Sequence, residues 1–200
     1  MKFKFDERTH TYTLDGVVLP SVTQILEGVG LVPDYPIGNY RIRGQRVHEA
    51  TLHYDNGVLD NYEVGDRIMP YVDSYVKSME KFPFTWKEAE IQLWHPYYLF
   101  AGKIDRVGFY DDKYPCIGDF KSGRTGRETG LQLAGYALLK DNKNFLLQSC
   151  GHYYRRFKLE LQPNGSCGKL TEYKDKVDFP GFLGSLELFK WKMKGNHKGT

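Results

Sequence analysis

Two hundred residues, 40% of them hydrophobic, are enough to bury one sizeable core, so a single domain is expected. A net charge of +3 is too small for a general polyanion field, so contacts with nucleic acid would have to come from local clusters. Three cysteines, Cys116, Cys150 and Cys167, without CxxC spacing exclude a disulfide framework and a complete four-cysteine metal centre in one chain, and favour a reducing compartment.

No run of about 18 apolar residues occurs, and Met1 is not followed by an apolar signal region, so a soluble, unsecreted, cytoplasmic protein with no membrane partner is expected. Fifteen Tyr, twelve Phe and three Trp suit a β-containing core and equally suit stacking on unpaired bases.

In chain order, alternation through Phe3, Phe5, Tyr12 and Leu14, with Asp15-Gly16 as a turn before Val17 to Leu19, predicts a β-hairpin. Ser21 followed three residues later by Gln24 forms a capping box and predicts a helix running to about Glu27. Gly28 to Gly44, with Pro33, Pro36, Gly30 and Gly38, reads as an irregular connection. A helical pattern begins at Arg43 and stops near Asn56-Gly57, and a second helix covers Arg67 to Lys81. Three strands follow, at Ile91 to Trp94, Leu99 to Tyr110 and Tyr114 to Lys121. Leu131, Ala134 and Leu138 give helical spacing over Glu128 to Lys140, and Phe145 to Tyr154 returns to strand character. A hairpin around Pro163-Asn164-Gly165 and a helix from about Phe182 to Met193 end the chain, with Gly195 to Thr200 frayed.

The result is an α/β chain with a mixed sheet and the core order αβββαβ. The core spans about 40–155, with the hairpin and first helix (1–30) before it and a second hairpin and helix (156–194) after it.

The chemistry concentrates in Gly102-Lys-Ile-Asp105, Asp119-Phe-Lys121 and Gln132-Leu-Ala-Gly-Tyr136. On a strand, residues at i and i+2 share a face, so Asp119 and Lys121 point one way and Phe120 the other. Hard cations such as Mg²⁺ or Mn²⁺ prefer oxygen ligands, and Asp105, Asp119 and the Phe120 carbonyl would make such a site. Lys121 could then orient a bound water or stabilise its hydroxide form. By itself D-x-K on a strand is ordinary solvated surface; its place at the end of an apolar strand, after Gly-x-x-Asp and before Gln132 and Tyr136, favours chemistry.

With these motifs in this order the chain resembles the PD-(D/E)XK nuclease superfamily, in its RecB-like branch, which includes phage exonucleases and the mitochondrial genome maintenance exonuclease. The resemblance covers roughly residues 18 to 155. It rests on Pro20-Ser-Val-Thr23, Arg43-Gly-Gln-Arg46-Val-His48-Glu, Glu90 twelve residues before Gly102, Gly102-x-x-Asp105, Asp119-x-Lys121 and Gln132-x-x-x-Tyr136.

It implies a restriction-endonuclease-like core and Mg²⁺- or Mn²⁺-dependent DNA hydrolysis. It implies metal ligation by Asp105 and Asp119, activation by Lys121, and His48 as a ligand or its neighbour. Without that context a lone helical histidine is more often packing or surface, which is how His10, His53, His95, His152 and His197 are read.

Spacing to Gly102 selects Glu90 as the further acidic residue, although Glu88 lies two residues earlier on the same strand face. Gln132 and Tyr136 share a helical face; either Tyr136 is core and Gln132 merely exposed, or both stand against the nucleic-acid backbone or behind Lys121, and the resemblance favours the second reading. Arg43 and Arg46 join the nucleic-acid-binding set with the helical motif. Arg124 and Arg127, in a Ser-Gly-Arg-Thr-Gly-Arg loop, either clamp phosphates or are simply solvated.

Relatives with an iron–sulfur cluster use four cysteines, so no cluster is expected here. No Gly-Lys-Ser/Thr P-loop follows Gly123 or Gly126, so no helicase motor is expected either. The expectation is a DNA exonuclease acting on ends or single strands in recombination, replication or repair, in a bacterial or phage-infected cell. It would act alone, as a homo-oligomer or beside a recombination protein. The alternatives are a structure-specific or restriction-type endonuclease on the same core, and a non-catalytic nucleic-acid-binding module.

Overall fold

Ser21 accepts a hydrogen bond from the Gln24 amide at 3.1 Å while the Gln24 side chain accepts from the Ser21 amide at 2.9 Å, so the capping box starts helix α1, Val22–Gly28. Before it, β1 (Phe3–Asp6), β2 (Thr11–Leu14) and β3 (Val17–Leu19) form a three-stranded antiparallel sheet, one strand more than the expected hairpin. The computed structural model describes residues 1–32, 39–60, 64–123, 125–141 and 153–195.

Helix α2, Asn39–Asp55, starts four residues earlier than the Arg43 pattern, so the expected irregular connection shortens; Pro33 to Gly38 lie outside the described residues. Helix α3 is Met69–Lys81, with Pro70 in its first turn, where a missing N–H costs nothing. The central sheet follows: β4 (Phe84–Trp94), β5 (Ala101–Tyr110), β6 (Tyr114–Lys121), helix α4 (Glu128–Lys140), β7 (Arg155–Glu160) and β8 (Lys169–Tyr173). Helix α5, Asp178–Gly195, closes the described chain, starting four residues before the expected Phe182.

The five strands lie in chain order, antiparallel except for β6 and β7, which run parallel and are joined through α4. The fold is therefore mixed α/β around a mixed sheet. Buried Leu133, Leu139, Phe182 and Leu186 from α4 and α5 pack with Ile25 of α1 and Ile117 in one cluster. Val47, Tyr71 and Tyr75 from α2 and α3 pack with Phe120 and Leu159 in another. Helices thus cover both faces of the sheet.

The strand that pairs parallel with β6 is Arg155–Glu160, which follows the expected span of Phe145 to Tyr154. Phe145 to His152 lie outside the described residues, and Tyr153 and Tyr154 precede the strand. Arg156 and Lys158 are buried at 3% and 6% exposure, so two charged residues on a core strand hide its pattern. No helix among the described residues is long and apolar enough to cross a membrane.

The N-terminal sheet docks on the central sheet through a parallel bridge between Ser21 and Ala101, with the Ala101 amide donating to the Pro20 carbonyl at 2.9 Å.

Candidate metal centre

Pairing between β5 and β6 runs from Tyr110–Tyr114 to Arg106–Gly118 and stops there, so Asp105 and Asp119 stand where the two strands part. The Phe120 amide donates instead to Asp105 Oδ2 at 2.8 Å. On the other side of β5, Ala89 pairs with Arg106 and Ile91 with Ile104, which leaves Glu90 beside Asp105. Glu90 has a left-handed φ of +52°, uncommon for a residue with a Cβ, and lies two residues past the end of a register shift between Trp86 and Glu88. Glu88, past the same shift, does not line the cavity: its carboxylate is held by Lys140 of α4 at 2.5 and 2.7 Å.

Helix α2 supplies His48. Its Nε2 donates to the Phe120 carbonyl at 2.9 Å, and Nδ1 lies 3.5 Å from Glu90 Oε1 and 3.4 Å from Asp105 Oδ1. A neutral ring that donates from Nε2 would aim a lone pair at two carboxylates, so the geometry calls for an imidazolium. Burial disfavours that charge, but Asp105 and Glu90 outweigh it and raise the His48 pKa to about 10. One ligand atom from each of His48, Glu90 and Asp105 lies within 4.8 Å of the others, a grouping that could hold a metal ion.

Asp119 is 1% exposed and pairs with Lys121, Nζ lying 2.8 Å from Oδ2 and 3.1 Å from Oδ1. Lys121 also donates to Gln132 Oε1 at 3.1 Å, and Gln132 Nε2 donates to the Tyr136 hydroxyl at 2.9 Å. The helical face carrying Gln132 and Tyr136 thus stands behind the lysine. Burial, reinforced by the charge of Asp105, lifts the Asp119 carboxyl to about 6 against the pull of Lys121. Asp105 goes the other way: burial is outweighed by His48, Lys121 and the Phe120 amide, and its pKa falls to about 2. One carboxylate is held ionised and its neighbour is poised to take a proton.

His48, Glu90, Asp105, Asp119, Lys121, Gln132 and Tyr136 all line one cavity of about 360 Å³. The Phe120 carbonyl faces His48 Nε2. Arg43 is turned toward the end of β6, where it donates to the Ser122 carbonyl at 2.9 Å. Arg46 is exposed and lines a separate depression with Glu49 and His53. Arg127 is 90% exposed, 3.7 Å from Asp175, and does not line the cavity. Arg124 lies outside the described residues.

Several cavity residues escape the sequence motifs. Lys103 holds Glu90 Oε2 at 2.5 Å; its position two before Asp105 on a strand was a readable signal. Arg106 is fully buried behind the site, donating to the Asp105 carbonyl at 2.9 Å and pairing with Asp55 at 2.9 Å, its guanidinium 5.1 Å from the Phe120 ring centroid. Glu7, His10 and Tyr12 reach the cavity from the N-terminal sheet, and no local pattern announces that.

Comparison with protein families and with curated proteins gives no match to this chain.

Proposed function

We propose that this chain is a divalent-metal-dependent deoxyribonuclease on a restriction-endonuclease-like core, an exonuclease acting on DNA ends or single strands in recombination, replication or repair. The observation that carries the reading is the convergence of His48, Glu90 and Asp105 in the cavity that also holds the Asp119–Lys121 pair. An ion fits these donors by replacing the His48 Nδ1 proton that lies between the two acids: they are then an imidazole nitrogen and carboxylate oxygens, and Glu90 Oε1, 3.5 Å from Nδ1, is buried without a hydrogen-bond partner among the described residues. His48 through Nδ1, Glu90 and Asp105 would hold it; the expected Phe120 carbonyl is taken up by His48 Nε2 at the opposite end of the ring, and Asp119 is held by Lys121, so both stand outside that donor set.

When bound, Mg²⁺ or Mn²⁺ supplies charge neutralisation on the phosphate and an acidified water. The chain's own residues do the rest. Asp119 and Gln132 fix the Lys121 ammonium from two sides, so its remaining donor can orient the attacking water or stabilise it as hydroxide. Lys103 and Lys121 add the positive charge that draws the DNA backbone into an otherwise acidic cavity. The attacking water gives up a proton to solvent as its oxygen bonds to phosphorus, the P–O bond to the leaving sugar breaks, and the leaving oxygen takes up a proton from solvent.

The test is cleavage of end-labelled linear and covalently closed circular DNA, single- and double-stranded, with Mg²⁺, Mn²⁺ or EDTA. Metal-dependent release of nucleotides from linear substrates only is expected. Nicking of circles would replace the exonuclease with an endonuclease, and no metal-dependent cleavage of any substrate would end the enzymatic reading.

A further inference from the structure

One side of the cavity is lined by Phe5, Glu7, His10 and Tyr12, from β1, β2 and the turn between them. Their rings are a packed set. Phe5 stacks on Tyr12 with centroids 4.5 Å apart and meets His10 edge-on at 5.2 Å and 87°. His10 takes a left-handed φ of +51°, uncommon outside glycine, and this backbone sets its ring against Phe5. Phe5 and His10 are half-buried, and both line the cavity.

Tyr12 is 1% exposed, its ring packed with Leu19 and Ala101. Its hydroxyl is buried with no hydrogen-bond partner among the described residues, although buried tyrosine hydroxyls usually find one. Burial and the charge of Glu90 both keep that phenol protonated, so it is a donor awaiting an acceptor.

Charge sorts the ligand. The cavity's lysines, Lys103 and Lys121, stand on β5 and β6, whereas the N-terminal wall adds the exposed carboxylate of Glu7, which repels phosphate. Aromatic faces with an acidic rim suit the uncharged π-surface of a nucleobase. A volume of about 360 Å³ lies at the low end of small-ligand pockets, the size of one nucleotide unit rather than a duplex.

The geometry points to a nucleobase subsite in the N-terminal sheet: one unpaired base next to the scissile phosphate stacks on Phe5 and is met at its edge by His10, whose ring stands at 87° to that of Phe5, and Tyr12 donates to a base or sugar oxygen of that nucleotide. This rests on the nuclease reading and extends it, because it makes the first twelve residues select unpaired nucleotides.

The probe is a single-stranded oligonucleotide with one 2-aminopurine, moved base by base along the strand and bound in Ca²⁺. Wild-type protein is expected to quench its fluorescence at one position, and Phe5→Ala and His10→Ala to relieve that quenching. In Mg²⁺, an abasic residue at the same position should raise KM about tenfold with kcat changed less than about twofold. Tyr12→Phe, which keeps the ring, should raise KM severalfold. Phe5→Trp should retain quenching, so the test survives if Phe5→Ala disturbs the sheet. Cleavage without position-specific quenching or abasic effect overturns the subsite and leaves the nuclease standing. Quenching without cleavage of any DNA supports the subsite and overturns the hydrolytic reading. Neither signal overturns both.

Discussion

Asp119 and Lys121 act on each other and on Gln132, not on the strand ladder, so they can be removed without unpicking β6. Asp119→Ala and Lys121→Ala are each expected to lower kcat by about a hundred- to a thousandfold or more, with the circular dichroism spectrum unchanged. Wild-type cleavage by either variant would contradict the roles assigned here. His95 gives an independent prediction at the same scale. Its Nδ1 accepts from the Tyr97 and Tyr98 amides at 3.2 Å, and the ring is fully buried against Phe100, 5.6 Å between centroids. Burial lowers its pKa to about 4 from the ordinary 6.5. The unfolded chain then binds the proton more readily, so this contribution is complete above about pH 6.5 and is lost as pH falls through 4, by at most about 3 kcal/mol. Going from pH 7.5 to 5.0, the urea midpoint of wild type should shift downward relative to that of His95→Asn, whose amide oxygen can still accept from the loop amides, because His48 and Asp119 titrate in the opposite sense and do so in both proteins.

At the scale of elements, Gly108 has no room for a side chain: a Cβ there would come within 2.2 Å of the Thr85 carbonyl oxygen and 2.8 Å of Trp86 Cα. Both neighbours are backbone of β4 and cannot rotate away, and they adjoin the register shift that precedes Glu90. Gly108→Ala should cost about 2–3 kcal/mol in chemical denaturation, and it should also reduce cleavage, because displacing β4 moves Glu90. The elements that local chemistry dictates were legible in the sequence: the capping box of α1, the alternation of β6 and the apolar spacing of α4. What was not legible follows from long-range packing. β7 hides because Arg156 reaches the Gly130 and Asp175 carbonyls and Lys158 meets Thr125 and Glu160, partners a linear pattern does not contain. At the site, the acids and His48 stand where their motifs suggested a common cavity, while Arg106 and Tyr12 became visible only once strands were paired.

Across the whole molecule the cavity draws on the N-terminal sheet, α2, three strands of the central sheet and α4, so a ligand there ties together most of the chain. Mn²⁺ at a hundred times its dissociation constant should stabilise the protein by about 2.7 kcal/mol, which for a chain of this size raises Tm by about 5–10 °C. Asp105→Asn should abolish that shift, and an equal shift in wild type and variant would place the ion elsewhere.

The bond from the Ala101 amide to the Pro20 carbonyl has a consequence for exchange with solvent deuterium. Ala101 is fully buried in the central sheet, yet its amide proton is secured by the segment that follows β3. Its protection therefore reports whether the first twenty residues are seated, separately from the amides of β5 that bond within the central sheet. Leu19→Ala is expected to speed deuterium uptake at Ala101 while leaving Val107 slow, so that one amide reads the opening of the N-terminal sheet as its own event.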